Sequence, residues 1–196
     1  MLKLTDNPAP LSPVAESIAE LPGPWWVGHT RSRCEKAFAW DLYRAQVRYY
    51  LPMIERISVS GGRKRRAMHP LFPSYVFFCG DELARYKALS TGRLCQVIEV
   101  TDQDRLVEQL DAVHRVIAAG GRPEPYPFVT LGQRCRVTAG PFADVEGVLV
   151  QQRRHQRFVL DVSILGQGAS IEIDADLLEP IDLDTRDHAA AKQAAS

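Results

Sequence analysis

No two of the four cysteines stand close together in this chain: they fall at positions 34, 79, 95 and 135, so there is no CxxC pair. Structural zinc sites draw paired ligands from tight turns, and scattered thiols do not supply them. Four reduced thiols, mostly buried, are expected instead, since free cysteine behaves as a small hydrophobe. Nor does any apolar run approach the roughly 20 residues that span a bilayer. In the first twenty residues Asp6, Glu16 and Glu20 outweigh Lys3, and prolines interrupt each apolar stretch. That is not a secretory pattern, so a cytoplasmic location away from membranes is expected.

Catalytic signatures are missing as well. His29, His69, His114, His155 and His188 have no metal-ligand spacing, and no Ser or Cys occupies a nucleophile elbow. Gly166-x-Gly168 lacks the third glycine and following helix of a dinucleotide site, and Gly61-Gly-Arg-Lys lacks the spacing of a phosphate loop. The residues give no reason to expect an enzyme, a metal or a cofactor. Net charge is absent too, but the total conceals a gradient. Residues 25–119 hold fifteen Lys and Arg against ten Asp and Glu, whereas residues 1–24 and 120–196 are both acidic. The middle of the chain is therefore the part suited to a polyanion.

What is present divides the chain. Prolines 8, 10, 13, 22 and 24 and weak periodicity predict a mobile, disordered leader over 1–24. From Trp25 strands and helices alternate. A strand is predicted over Trp25–Thr30, then a helix capped by Ser32 with Glu35 as its capping-box partner. That helix can align Cys34, Phe38, Leu42 and Ala45 on one face. A strand over Tyr49–Val59 enters a tip at Gly61–Gly62, continues into Arg63-Lys-Arg-Arg66, and is followed by a strand over Ser74–Cys79. A short helix (Asp81–Leu89), a strand (Arg93–Val100) and a helix from Thr101 to Ala118 complete this first unit. Leu106, Val107, Leu110, Val113, Val116 and Ile117 form the apolar stripe of the last helix. The fold class is α+β, an antiparallel sheet flanked by helices over 25–119. Gly120, Gly121, Pro123, Pro125 and Pro127 predict a linker over 120–128. Short strands with turns at Gly140-Pro141, Arg153–Gln156 and Gly166–Gly168 predict a small β-barrel over 129–181, and the acidic tail over 182–196 is expected to be flexible.

Two stretches in order carry a resemblance. GQRCRVTAGPFADVEGVLV with VLDVSILGQGASIEIDADLLEPI resembles a KOW domain, an SH3-like small barrel. WWVGHTRSRCEKAFAWDLY, YYLPMIER and PLFPSYVFF resemble the N-terminal domain of the NusG family of transcription elongation factors. The pairing of LPMI with PLFPSYVF is most similar to the RfaH-like, specialised branch. The resemblance covers residues 25–181. It implies a monomeric bridging protein that binds the clamp helices of RNA polymerase, suppresses pausing, lies near the non-template DNA strand, and reaches a ribosome or Rho through the KOW domain. A KOW-containing RNA-binding or ribosome-associated protein that never touches polymerase is the alternative.

Carried over residue by residue, the resemblance places polymerase contact at Phe72, Pro73, Tyr75 and Phe77. Alternation puts Tyr75 and Phe77 on one face of their strand and Val76 and Phe78 on the other. With helices over only one face, the aromatics of the second would form a docking patch. Nucleic-acid contact falls to Arg31, Arg33 and Arg93 and to the hairpin residues Arg63, Lys64, Arg65 and Arg66, the last four otherwise reading as a solvated tip. Partner contact by the KOW unit falls to Phe142 and Leu165. The His-Thr-Thr motif of RfaH-like proteins is replaced by Ala84-Arg-Tyr-Lys-Ala88, and Ser163-Ile-Leu-Gly166 holds leucine where housekeeping members hold a phenylalanine. Leucine keeps apolar area but loses the flat ring, which favours antitermination over Rho recruitment. RfaH-like members can also hide their polymerase site beneath a helical C-terminal domain. The β-branched alternation of Val145–Gln152 and Arg157–Ile164 instead predicts a free β unit.

Overall fold

The computed structural model describes residues 7–60, 63–126, 132–152 and 155–181. In chain order it contains β1 (Leu11–Ser12), β2 (Trp25–Thr30), α1 (Glu35–Arg44), β3 (Arg48–Tyr50), β4 (Met53–Ser60), β5 (Arg63–Pro70), β6 (Tyr75–Cys79), α2 (Glu82–Ser90), β7 (Leu94–Glu99), α3 (Gln103–Ala118), β8 (Glu124–Tyr126), β9 (Gln133–Val137), β10 (Glu146–Gln152), β11 (His155–Val162), β12 (Gln167–Ile171) and β13 (Leu178–Pro180). The fold is α+β, with two separate large sheets.

The first sheet has the order β1-β3-β6-β2-β7, its pairs antiparallel, with β6 at its centre. Its two faces are filled differently. On one, Val76 and Phe78 of β6 pack with Phe38, Ala39 and Leu42 of α1 and Ala88 of α2. On the other, Phe77 joins Trp25, Val27 and Tyr50 in the core closed by Leu106, Leu110, Val113 and Val116 of α3. These four lie three and four residues apart, the repeat that keeps one helical face against a sheet. The expectation that helices leave one face open is corrected here: α3 covers it.

The N-terminal segment is not a mobile leader over the residues described. β1 pairs with β3 in the register Leu11↔Tyr50, and Leu11, Ile18 and Leu21 are buried. Ser17 caps a 3-10 turn over Ile18–Glu20 and its hydroxyl donates to Asp111 of α3 at 2.7 Å. The prolines that suggested disorder serve an irregular but packed path, because the spaced apolar side chains between them find a groove.

Other boundaries shift for local reasons. Tyr49–Val59 is not one strand, because Leu51 and Pro52 separate β3 from β4. Ser32 does not cap α1; the cap position is Cys34, without a side-chain hydrogen bond, after Arg33 turns to a φ of 61°. α3 is capped by Asp102, which accepts from the Arg105 amide, rather than by Thr101. Of the cysteines, Cys79 and Cys135 are buried, whereas Cys34 is half-buried and Cys95 exposed.

The predicted linker is also partly structured. Glu124–Tyr126 forms β8 and pairs with β12, extending the second sheet to the order β13-β9-β10-β11-β12-β8. Residues 127 and 128 of the linker, the Gly61–Gly62 tip, Arg153–Arg154 and the 182–196 tail lie outside the described residues. Gly147 is required by close approach, since a Cβ there would sit 2.7 Å from both the Phe158 ring and the Val159 carbonyl. The C-terminal unit is β, as its alternation predicts, but it does not stand free. Gln109 of α3 donates to Ser163 Oγ and accepts from the Ser163 amide at 3.1 Å, and Arg115 donates to the Ala143 and Asp144 carbonyls. α3 thus lies between the two sheets.

Candidate functional site

Leu71 to Ser74 connect β5 to β6, and this turn carries the conspicuous aromatic cluster. Phe72 and Phe77 are fully buried, their rings meeting edge to face at 6.1 Å, and Phe77 lies 6.5 Å from Tyr50. Tyr50 in turn meets His114 of α3 at 5.6 Å. Two of the four expected docking residues are therefore core in this arrangement. The other two reach the surface: Pro73 is exposed and Tyr75 half-buried, its ring stacked on His29 at 5.1 Å and 23°.

The residue that shapes this turn is one that the local sequence pattern misassigns. Glu35, buried at the start of α1, accepts the Ser74 amide hydrogen at 2.7 Å. Ser74 has a φ of 68°, and its carbonyl accepts from Thr30 at 2.8 Å. A buried carboxylate needs such a donor to offset its lost hydration. Read as a capping-box partner for Ser32, Glu35 has a local role; in the fold it pins a turn 39 residues away. Only the tertiary contact reveals this.

The basic residues form two groups. Arg31 and Arg93 are joined through the backbone, the Arg31 amide donating to the Arg93 carbonyl at 2.9 Å, with exposed Arg33 beside them. Arg93 is tied to Asp41 by an Nε–Oδ2 contact of 2.8 Å, which raises its pKa further. The second group stands on the β4–β5 ribbon. Lys64 and Arg66 are exposed; Arg66 makes only a 3.9 Å contact with Glu55, worth little on a solvated surface. Arg63 and Arg65 enter through their backbone positions on β5, opposite Ser60 and Ser58. Opposite Arg66 and Lys64 stand Ile57 and Val59, 53% and 67% exposed, so one side of the ribbon mixes β-branched and cationic groups.

On the C-terminal unit, Phe142 and Leu165 are both half-buried. Phe142 lies close enough to Gly121 that a Cβ there would come within 3.1 Å of its ring. Leu165 follows Ser163 in the 3-10 turn held by Gln109, and Gly166 ends that turn in the left-handed region. Among the described residues no group of three or more His, Cys, Asp or Glu is placed to hold a metal ion. No helix in them is long and apolar enough to cross a membrane.

The family described as "Transcription termination factor nusG" matches residues 23–129, the unit that carries the aromatic turn and the basic ribbon. The transcription termination/antitermination protein NusG of Escherichia coli K12 is 28% identical over 137 residues, covering 66% of this chain and 75% of that protein. That of Buchnera aphidicola from Acyrthosiphon pisum is 25% identical over 135 residues, covering 63% and 72%. Among solved structures, a Thermotoga maritima NusG aligns over 81% of this chain and 97% of its own, at 19% identity and a TM-score of 0.42. With more than half its length matched, this chain belongs to the NusG family of transcription factors, which are not enzymes.

Proposed function

We propose that this protein is a cytoplasmic, monomeric elongation and antitermination factor that docks on the clamp helices of RNA polymerase and shortens pauses. The observation that carries the reading is the Phe72–Tyr75 turn. A fully buried Phe72 anchors it, Glu35 fixes its backbone, and Pro73 and the Tyr75–His29 stack are left outward. A rigid aromatic surface on an otherwise covered sheet suits a protein partner. Arg31, Arg33, Arg93 and the ribbon cations then face non-template or duplex DNA through phosphate contacts. The C-terminal sheet acts as the KOW unit, Phe142 and Leu165 being its partner residues.

Transcription on a pausing template, with and without the protein, tests the first half. Pauses should shorten, and Pro73→Ala with Tyr75→Ala should abolish that effect while the fold is retained. Unchanged pausing together with failure to bind a clamp-helix fragment would leave only the RNA-binding or ribosome-associated reading. We further infer a specialised, RfaH-like role, because Leu165 replaces a flat ring and is half-buried against the core that includes α3. A ribosome is then a better partner than Rho for the C-terminal unit. Robust stimulation of Rho-dependent termination by this protein would refute the specialised role.

A further inference from the structure

A second cationic feature lies where the ribbon meets the body, outside both basic groups described above. Cross-strand register places Arg56 opposite Ala67 and Ile54 opposite His69, so Arg56 and His69 share one side of the ribbon as diagonal neighbours. Both are exposed. From α1, Lys36 reaches β5 and donates from Nζ to the Met68 carbonyl and, at 2.7 Å, to Asn7 Oδ1. Three cationic or protonatable groups from α1, β4 and β5 thus converge beside one backbone segment.

Among the described residues none of the three makes an ion pair with a carboxylate. Both acceptors of Lys36 among the described residues are uncharged, and of the three donors of an ammonium these use two. Arg56 makes no ion pair among the described residues. The neighbouring carboxylates of the described residues have other partners: Glu35 accepts from Ser74, Glu55 faces Arg66 on the opposite side of the ribbon, and Glu124, which lines a cavity with Arg56, pairs with Arg157 at 3.4 Å. Desolvation, and after it the charges of Arg56 and Lys36, lower the pKa of His69 from its ordinary value. Desolvation likewise lowers Lys36, against the raising influence of Glu35. Cations gathered without counter-charge are stabilised by an arriving anion.

We propose that Lys36, Arg56 and His69 form a seat for one phosphodiester of the DNA engaged by the ribbon, carrying the binding surface from the projecting strands onto the body of the N-terminal unit. The proposal rests on the nucleic-acid reading of the ribbon and adds three residues and a proton to it. A two-stranded ribbon fits the major groove, and phosphate contacts at its root set how deeply it enters. Bound phosphate also favours protonated His69. DNA binding therefore takes up a proton, and affinity rises as pH falls through the histidine range.

The test is fluorescence anisotropy with the full-length protein and a labelled DNA duplex, with single-stranded DNA and an RNA duplex as parallel arms. Wild-type affinity should rise several-fold between about pH 7.5 and about pH 5.5. His69→Gln should flatten that rise, and Arg56→Ala should weaken duplex binding with the logarithmic salt slope reduced by about one. All three substituted forms, including a Lys64→Glu/Arg66→Glu control, are surface changes whose folding circular dichroism can verify. If His69→Gln keeps the full pH dependence and Arg56→Ala keeps the salt slope while the control loses binding, the seat is wrong and the ribbon reading survives. If the control binds as wild type, the ribbon reading fails and the seat with it. Tighter binding of RNA than of DNA would overturn the assignment of the phosphodiester to DNA.

Discussion

The β4–β5 ribbon and β6 are joined by only Leu71 to Ser74, yet one projects and the other is enclosed. Both show alternating residues, and from alternation alone each offers one side to the exterior. In β6 the two sides meet α1 and α2 on one hand and α3 on the other, so Phe77 and Phe78 are equally buried. In the ribbon the side that holds Ile57 and Val59 with Arg66 and Lys64 stays open, and all four are exposed. Alternation identifies which residues share a side. It does not say whether a third element, distant in the chain, will cover that side.

The sharpest way to break this comparison is to truncate an aromatic of β6. Phe77→Ala should cost about 3–5 kcal/mol, as expected for a fully buried phenylalanine. Urea unfolding would measure the loss, and a cost below ~1 kcal/mol would mean that this side is open after all. Glu35→Ala removes a charge-assisted hydrogen bond to Ser74 and should cost about 1.5–3 kcal/mol. The same change should slow no chemistry but loosen the Phe72–Tyr75 turn, seen as faster amide exchange at Ser74.

Alkaline pH offers a milder probe of the enclosed side. Burial raises the Tyr49 pKa from 10.0 to about 12 and that of Cys79 from 9.0 to about 11, and raises Tyr50 as well. The unfolded chain releases these protons first, so folded stability falls as pH climbs from about 9 toward 12. The hydroxyls of Tyr49 and Tyr50 have no hydrogen-bond partner among the described residues. Tyr49→Phe should therefore fold well and lessen the alkaline loss, which thermal melts across that range would show. At the ribbon the smallest effect is expected. Lys64→Glu/Arg66→Glu should change stability by no more than about 0.5 kcal/mol, since exposed charges contribute little. Its consequence belongs to DNA affinity.

Much of the fold was legible. The strand over Trp25–Thr30 has the predicted boundaries, and the stripe of α3 follows from spacing alone. The errors share a cause. Ser32 and Glu35 fit a capping box by spacing, but the Ser74 amide offers Glu35 a better-placed donor. The proline-rich segment lacks periodicity, yet Leu11, Ile18 and Leu21 bury themselves in a groove that exists only after β3 and α3 are assembled.

What the sequence by itself determined is local and periodic: element types, the α+β class, the aromatic run at 72–78 and the concentration of cations at 63–66. These depend on neighbours along the chain, or on residues one strand or one helical turn away. Only the tertiary structure decided which aromatic residues reach the surface, that Arg56, His69 and Lys36 converge, and that α3 lies between the two sheets. Those outcomes depend on contacts between distant segments, where burial of one surface requires another to be in place first.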